Sequence, residues 1–385
     1  MSSHKETHIV VREGPETPRN LLIFMDGTWN DENGRDGDGA VTNIYKMFSS
    51  LTGQQDDKNI PFKRETATHL GLYFRGIGND EENVTSMGFY KGAFGAGEKN
   101  IRDHAYASIC KHYRPGDRIC IFGFSRGAAS ARLLASKLDK YGLPAGITLH
   151  YRTVKNKMTK KEELLFIKYK PKEESKKSLP VSFLGVFDTV GAFGIPISLG
   201  PLNFQKINLF RDLTLAKNVE KAVHLVALDE SREPFIPTLA NHSVRIEEVW
   251  FAGVHADIGG GYIDCQLGNI TLDYMVNRLN QVIQSPGVTF TQWLNQFRTY
   301  NLEKDDFVIH YHGDGTAKEP REVHVRRNDK ASKSPVMIHE SVLSLSEAKN
   351  VYYSERLNSF ATRVPIVYDP KNLKELGNNI TEAVT

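Results

Sequence analysis

The feature that most constrains this chain is a short apolar run at residues 119–122 that leads into a Gly-x-Ser-x-Gly motif at residues 123–127. Small residues then begin a helical pattern, so the serine lies between a predicted strand and a predicted helix. This arrangement is typical of a nucleophile elbow, a sharp turn that holds a serine in a strained conformation with its hydroxyl clear of the sheet. Gly123 and Gly127 fit that turn because a side chain at either position would collide with neighbouring backbone. We therefore predict that Ser125 is a catalytic nucleophile.

Apolar segments alternate with helical patterns over most of the chain. Nearly continuous apolar runs predict buried strands, at residues 21–25, 70–74, 119–124, 181–187 and 249–254. Helical patterns lie between them, at residues 43–48, 98–113 and 213–228. Strands that alternate with helices in this way predict an α/β fold, with a mostly parallel central sheet and helices on both faces. Beyond residue 300 the pattern is too weak to place individual elements.

The chain divides into parts of different composition. We expect an N-terminal extension at residues 1–19, a catalytic domain at residues 20–300, and a C-terminal part at residues 301–385 packed on the same domain. Residues 155–177 are crowded with lysine and glutamate and form a basic, lid-like insertion around one short apolar group. This insertion either rests on anionic phospholipid or is a solvated excursion.

Composition excludes several functional classes. The net charge of +3 over 385 residues is too small for a protein that binds nucleic acid through its overall charge. The three cysteines show no C-x-x-C spacing, which favours folding in a reducing compartment. The N-terminus lacks the apolar core of a signal peptide, and no apolar window reaches the length of a membrane span. We expect a cytoplasmic protein in the producing cell, and any export would use a route that reads no N-terminal signal.

Polar residues follow four of the predicted strands at their carboxyl ends, namely Asp26, Ser125, Asp188 and His255. Ligands bind at this edge in open parallel sheets. The order Ser, Asp, His is that of an α/β-hydrolase triad. Ser125 needs a base to become a strong nucleophile, and His255 would accept its proton. Asp188 would fix the tautomer of the imidazole and stabilise the imidazolium.

Two backbone amides are candidates for the oxyanion hole. The first amide of the predicted elbow helix belongs to Arg126, and it would face an oxyanion above the serine. A loop after an early strand supplies the second amide in this fold, and here that loop begins at Asp26 and Gly27. Gly27 is equally well explained as part of a plain tight turn.

Other residues leave alternatives open. Three glycines at residues 259–261 allow close approach of backbone to substrate and favour His255 as the base. His339 is its main rival, because it lies later in the chain and satisfies the same order. Asp257 is either a group that supports the base or a rival acid. Arg232 either contacts a phosphate oxygen or forms a buried salt bridge.

Neither a phosphatase nucleophile nor a metal site is predicted. Residues 26–28 are similar to the haloacid-dehalogenase motif, but Phe24 stands where that motif needs its nucleophilic aspartate. The acidic loop at residues 31–38 has Arg35 where a calcium loop needs another oxygen ligand. The sequence contains no H-E-x-x-H motif and no Cys/His cluster. We therefore expect no metal and no other cofactor.

Six motifs together resemble one known family. They are residues 24–30, 76–78, 123–128, 186–191, 227–232 and 250–262. The combination is similar to the DUF2235 group, which includes the catalytic module of Tle1-type type VI secretion phospholipase effectors. The resemblance implies an α/β-hydrolase fold, a triad of Ser125, Asp188 and His255, and phospholipase A-type hydrolysis of glycerophospholipid acyl esters. It also implies contact with a membrane surface, and a secretion apparatus or an immunity protein as partners.

Two other functions remain open, because the better-known effectors are much longer and carry an additional membrane-engaging region. The first is carboxylesterase or thioesterase activity on soluble acyl substrates, which a preference for monomeric over aggregated substrate would reveal. The second is a binding or scaffold module with an inactive site. Failure of a fluorophosphonate probe to label Ser125 would reveal that second function.

Overall fold

A ten-stranded, mostly parallel sheet organises the molecule. The computed structural model describes residues 4–11, 17–34, 40–76, 93–155, 162–173, 177–191, 214–232, 235, 237–241, 243–311, 336–357, 360–370 and 380–384. Predictions that involve residues 35–38, 77–78, 156–161, 174–176 and 213 therefore lie outside the described residues.

The strands in this part of the chain are β1 His4–Val10, β2 Asn20–Met25, β3 Gln54–Asp56, β4 Phe62–Glu65, β5 His69–Phe74, β6 Arg118–Phe124, β7 Gly146–Lys155, β8 Glu162–Lys172, β9 Val181–Phe187, β10 Val219–Ala227, β11 Ile246–Phe251, β12 Phe307–Tyr311, β13 Val336–His339, β14 Val351–Leu357, β15 Phe360–Pro365 and β16 Ile380–Val384. The helices are α1 Asn43–Ser49, α2 Ala93–His112, α3 Arg126–Tyr141, α4 His255–Gly259, α5 Gln266–Val282, α6 Gln292–Gln296 and α7 Glu340–Glu347.

All five predicted strands belong to the large sheet, although the last of them, predicted at residues 249–254, is β11 and ends at Phe251. Its order is β16-β13-β11-β10-β9-β6-β2-β5-β4-β3. The eight strands from β16 to β5 are parallel, and β4 and β3 continue one edge in antiparallel pairing. Because parallel strands point the same way, the carboxyl ends of β2, β6, β9, β10 and β11 lie along one edge of the sheet.

The side chains of β2 are divided between two apolar cores, one on each face of the sheet. Leu22 and Phe24 pack in the core that includes residues of α1 and α5. Leu21, Ile23 and Met25 pack in the core that includes residues of α2 and α3. The alternation follows from the two-residue period of a strand. Full burial of each such side chain stabilises the folded protein by about 1.5–3 kcal/mol. The helices packed on both faces therefore stabilise the sheet whose edge carries the site.

One predicted helix is a strand. Residues 213–228 show a helical spacing, yet residues 219–227 form β10, which pairs in parallel with β9 and β11. A central parallel strand is buried on both faces, so its apolar run lacks the alternation that identifies an ordinary strand. Periodicity alone does not separate such a strand from a buried helix, and the helix prediction is wrong for this reason.

Two segments of unusual composition meet in a second sheet. β1 comes from the N-terminal extension and β8 from the lysine-rich insertion, and both pair in antiparallel fashion with β7. Phe166 of β8 is buried and stacks on His104 of α2, with ring centroids 4.3 Å apart. The apolar group of the insertion is therefore anchored on the helical layer through this phenylalanine.

The residues after 300 contribute to two sheets. β12, β14 and β15 form a third sheet, whereas β13 and β16 extend the large sheet beside β11. Ile338 of β13 and Val342 of α7 lie in the same apolar core as α1 and α5. This part of the chain thus shares the main core.

Candidate active site

Ser125 and Asp188 follow two adjacent strands. β6 and β9 pair with Phe124 opposite Phe187, so the next residue of each strand lies at the same edge. The Ser125 N–H donates to the Phe187 carbonyl at 3.1 Å, and the Val190 N–H donates to the Ser125 carbonyl at 3.3 Å. These two backbone bonds hold the serine and the aspartate segments together.

The turn at Ser125 has the geometry of a nucleophile elbow. Its φ of 58° and ψ of −122° lie outside the regions that L-residues favour, and α3 begins at the next residue, Arg126. A Cβ atom on Gly123 would lie 2.5 Å from the carbonyl oxygen of Gly127. A Cβ atom on Gly127 would lie 2.3 Å from the carbonyl oxygen of Met25. Any side chain at either glycine would therefore push the turn away from the sheet.

Backbone strain is concentrated at this edge of the sheet. The non-glycine residues with positive φ in the described ranges are Trp29, Ser125, Glu173 and Asp188. Trp29 lies in the loop after β2, Ser125 follows β6, and Asp188 follows β9, so three of the four lie at neighbouring strand ends. Each such conformation costs about 1–3 kcal/mol and persists only where the surrounding structure enforces it. This distribution is typical of a functional site.

Asp188 contacts His255 directly. The Nδ1 atom of His255 lies 2.5 Å from Oδ2 of Asp188, and both side chains are buried. The other Asp188 oxygen accepts the Ala227 N–H at 3.0 Å. A carboxylate in this position keeps the imidazole proton on Nδ1 and leaves Nε2 as the basic nitrogen. The rings of Phe124 and Phe235 lie 4.7 and 4.8 Å from the imidazole and form an apolar wall beside it.

Three carboxylates hold the backbone segment that carries His255. Consecutive N–H groups donate to them, from Gly253 to Asp229 at 2.6 Å, from Val254 to Asp257 at 2.9 Å, and from His255 to Glu230 at 3.2 Å. His255 is therefore positioned through the backbone of its own segment as well as through the contact of its side chain with Asp188.

Asp257 belongs to a second aspartate–histidine pair. Its Oδ1 atom lies 2.6 Å from Nδ1 of His310, and both side chains are buried. The Tyr262 ring stacks on His310 with centroids 3.7 Å apart. Asp257 thus contacts His310 and the Val254 N–H. The aspartate whose carboxylate bonds the His255 imidazole is Asp188.

His339, the rival base, lies in a different environment. It stacks on Phe251 with ring centroids 4.5 Å apart, and its Nδ1 accepts the Ser341 N–H at the start of α7. Burial lowers the pKa of His339 to about 4. Its side chain lines a cavity of about 600 Å³ beside α5, and none of Ser125, Asp188 and His255 lines that cavity.

Asp26 organises the loop after β2. Its buried carboxylate accepts the Tyr73 hydroxyl at 2.7 Å, the Thr42 hydroxyl at 2.9 Å and the Gly27 N–H at 2.8 Å. The Gly27 amide, which the sequence suggests as an oxyanion donor, thus has a local partner in this structure. Removal of the carboxyl from water outweighs these three bonds and raises the pKa of Asp26 to about 7.

This raised pKa makes a pH-dependent contribution to stability. The folded protein keeps the Asp26 proton up to about pH 7, whereas the unfolded chain releases it near pH 4. The contribution is complete below about pH 4 and is lost as the pH rises to about 7. We expect the free energy of unfolding of the wild type to fall, relative to Asp26→Asn, by about 1.4 kcal/mol per pH unit in this interval. Urea unfolding of both proteins at about pH 5 and about pH 7.5 tests this expectation, and parallel pH profiles would contradict it.

The sequence of the chain matches the model of a known catalytic domain. The family described as "T6SS, Phospholipase effector Tle1-like, catalytic domain" matches residues 19–278, which is more than half of the chain. The chain belongs to this family. The matched region of this Tle1-like domain contains Ser125, Asp188 and His255, and it ends before His310 and His339.

Individual relatives of the Tle1-like domain are distant. The uncharacterized protein YEL023C of Saccharomyces cerevisiae is 28% identical over 233 residues, which cover 56% of this chain and 32% of the yeast protein. An uncharacterized protein from Pseudomonas aeruginosa has a solved structure with 19% identity, a TM-score of 0.42, and coverage of 74% of this chain and 48% of that chain. A Tle1 effector bound to the VgrG spike of a type VI secretion system has 22% identity, a TM-score of 0.36, and coverage of 64% and 52%. The chain thus spans about a third of the yeast protein and about half of each solved chain.

Sequence reasoning missed several groups of the candidate site. Glu230 accepts both the His255 amide and the Arg232 guanidinium, whose Nε and Nη2 atoms lie 2.8 and 2.7 Å from its two oxygens. Arg232 therefore forms a salt bridge, one of its two predicted roles, and stacks on Phe235 at 3.7 Å. Glu230 could have been identified from the sequence, because the acidic pair at residues 229–230 directly follows an apolar run. His310 could not, because the chain beyond residue 300 shows no clear pattern.

Proposed function

We propose that the chain is a serine hydrolase of the α/β-hydrolase fold that cleaves acyl esters of glycerophospholipids, with phospholipase A-type specificity. The observation that carries the proposal is the 2.5 Å contact between His255 and Asp188 at the sheet edge where the strained Ser125 lies. Membership of the Tle1-like phospholipase effector family supports the lipid substrate. The central position of β6 between β2 and β9 supports the fold assignment.

The proposed reaction proceeds through an acyl-enzyme. His255 Nε2 accepts the Ser125 hydroxyl proton while Oγ attacks the ester carbonyl, and a tetrahedral oxyanion forms. The C–O bond to the leaving alcohol then breaks, and His255 returns the proton to that alcohol, which departs as the lysophospholipid. Water next attacks the acyl-enzyme carbonyl while His255 accepts its proton. The ester bond to Ser125 Oγ then breaks, the fatty acid leaves, and His255 returns the proton to Oγ. Asp188 remains ionised throughout and stabilises the imidazolium.

Oxyanion stabilisation is assigned to the first amide of α3, that of Arg126, and to the loop after Asp26. The Gly27 amide serves there only if it leaves its 2.8 Å bond to Asp26 Oδ1. Thr28 offers another donor in the same loop, because its buried hydroxyl has no hydrogen-bond partner among the described residues. A buried hydroxyl without a partner is costly, and a developing oxyanion would satisfy it.

Thr28→Val tests the threonine hydroxyl, because valine keeps its shape and removes only the donor. We expect kcat to fall by about 10²-fold, the usual effect of losing one oxyanion donor. Thr189→Val is the matched control, since the Thr189 hydroxyl is also buried without a partner in the described residues. Initial rates on a soluble ester give the comparison. Equal rates for the wild type and Thr28→Val would remove Thr28 from the oxyanion hole.

The edge of the proposed site suits an amphipathic substrate. Trp29 is 41% exposed, although it is a large aromatic residue. The Arg126 guanidinium lies 5.5 Å from the centre of its ring. An aromatic ring beside a cation at a site entrance fits a lipid that has apolar chains and an anionic headgroup.

The proposed cellular role follows from the family. The protein would be made in the cytoplasm and exported to target cells, where phospholipid is the substrate, with a secretion apparatus and an immunity protein as partners. In the described residues, no helix is both long and apolar enough to span a bilayer. Under this proposal, residues 20–300 form the catalytic domain, with residues 155–177 as its insertion. The alternative function is esterase or thioesterase activity on soluble acyl substrates.

Hydrolysis of a panel of phospholipid vesicles distinguishes these functions. The wild type, Ser125→Ala and His255→Ala are assayed for fatty-acid release, with a soluble short-chain ester in parallel. The proposal expects release by the wild type and none by either variant. Activity confined to the soluble ester would contradict the phospholipid substrate and favour the esterase. Full activity of His255→Ala would contradict the assignment of the base.

A further inference from the structure

The outer face of the β1-β7-β8 sheet has a distinctive composition. Lys168, Lys170 and Lys172 alternate along β8, so all three lie on the same face of the strand. Their partners across β7 are His150, Thr148 and Gly146. We call this surface, defined by the three lysines and the residues beside them on β7 and β1, the basic face.

The opposite face of the same sheet packs on the protein. Tyr169, which alternates with the lysines, lies with its ring centroid 5.4 Å from that of Tyr106 of α2. Ile147 and Leu149 of β7 are buried in the core that includes α2 and α3. The pleat of the strands therefore directs the lysines of β8 away from the body of the molecule and into solvent.

The charges of the basic face are poorly neutralised. Lys168, Lys170 and Lys172 are exposed, and within the described ranges no carboxylate forms an ion pair with any of them. Glu6 lies on the same face, where its Oε1 is 3.0 Å from Nδ1 of His150. The whole chain carries a net charge of only +3, so this local excess is not a consequence of overall composition.

Exposed aliphatic side chains accompany the lysines. Val10 is 83% exposed and lies opposite Gly146, which is in turn opposite Lys172. Ile167 is 39% exposed and directly precedes Lys168. Lysines with interspersed aliphatic groups are the combination that binds an anionic lipid surface, by charge attraction and by shallow insertion of apolar side chains.

We propose that the basic face docks the protein on anionic phospholipid bilayers. The inference rests on the proposed function, which it deepens by naming the surface that meets the substrate membrane. Each lysine near an anionic bilayer contributes a favourable interaction of moderate size. Three lysines on one flat sheet face act together, because they can approach the headgroups at the same time. An acidic protein would meet the same surface, but it would not account for Val10 and Ile167.

Vesicle binding by the Ser125→Ala protein tests the proposal without hydrolysis. Sedimentation with vesicles of phosphatidylglycerol and phosphatidylcholine is compared with pure phosphatidylcholine. We expect binding only to the anionic vesicles. The further triple change Lys168→Gln, Lys170→Gln and Lys172→Gln is expected to weaken binding by about 100-fold. The charge-matched control is Lys217→Gln, Lys304→Gln and Lys349→Gln, which alters exposed lysines elsewhere and is expected to bind like the parent.

Several results would overturn the proposal. They are no binding to anionic vesicles, equal binding by the two triple variants, and binding to neutral vesicles of the same strength. Thermal unfolding of both triple variants verifies that each is folded. The docking proposal and the proposed hydrolase function are tested separately with a soluble ester. The lysine variant with Ser125 intact should hydrolyse this ester at the wild-type rate, because docking concerns only the membrane. If the lysine variant loses vesicle binding but hydrolyses the soluble ester at the full rate, docking is supported. If the protein with Ser125 intact binds anionic vesicles but hydrolyses no substrate, docking is supported and the proposed function is contradicted.

Discussion

Replacement of Ser125 by alanine is expected to reduce ester hydrolysis by about 10⁶-fold, to the small rate that binding and oxyanion stabilisation retain. The reason is geometric. Ser125 follows β6 at the edge where Asp188 and His255 meet, and its strained φ of 58° is enforced by glycine contacts on both sides. The measurements are fatty-acid release from vesicles, soluble-ester hydrolysis and labelling by a fluorophosphonate probe.

A second buried serine provides the control for this change. Ser182 lies in β9, and it is buried to nearly the same extent as Ser125. Ser182→Ala should retain both activities and the probe label, because it removes a buried hydroxyl at a distance along the strand from the proposed site. Ser125→Ala with near wild-type rates would show that the elbow has no catalytic role. A wild type that resists the probe would favour the inactive scaffold.

The elbow was predictable because its constraints are local. A strand, two glycines and a small-residue helix start are all written within residues 119–130. The collisions that a Cβ atom would make at Gly123 and Gly127 are consequences of that turn alone. The strand ends at residues 25 and 187 were equally predictable, since a mostly apolar run stops at each of them and an aspartate follows.

Two side-chain contacts of the site, those of Asp257 and of Asp26, were not predictable from the sequence. The partner of Asp257 is His310, 53 positions away, in a strand that the sequence analysis did not place. The bond from the Gly27 amide to Asp26 depends on how the loop turns, which residue types do not specify. β10 was wrongly predicted as a helix, because a strand buried on both faces lacks the two-residue alternation of apolar and polar side chains. The sequence thus identifies residues whose conformation depends on one turn or one strand end. The structure is needed to identify the contacts that depend on packing between segments.

The two aspartate–histidine pairs give the most discriminating prediction. Asp188 lies 2.5 Å from His255 and Asp257 lies 2.6 Å from His310, and both pairs are buried. Distance and burial therefore do not tell which pair is catalytic. Position favours Asp188, because it directly follows the strand beside β6 and its backbone segment bonds to Ser125.

We expect Asp188→Asn to lower kcat by about 10⁴-fold, because an amide no longer holds the imidazole in the productive tautomer. Asp257→Asn is the matched variant, since it makes the same chemical change in the other pair. It should lower the free energy of unfolding by about 1–3 kcal/mol through weakened buried hydrogen bonds, while kcat falls less than about tenfold because His255 keeps its own carboxylate. Soluble-ester kinetics and urea unfolding of both variants measure the two effects. A 10⁴-fold loss in Asp257→Asn with an active Asp188→Asn would reverse the assignment, and would make His310 the residue to test as the base.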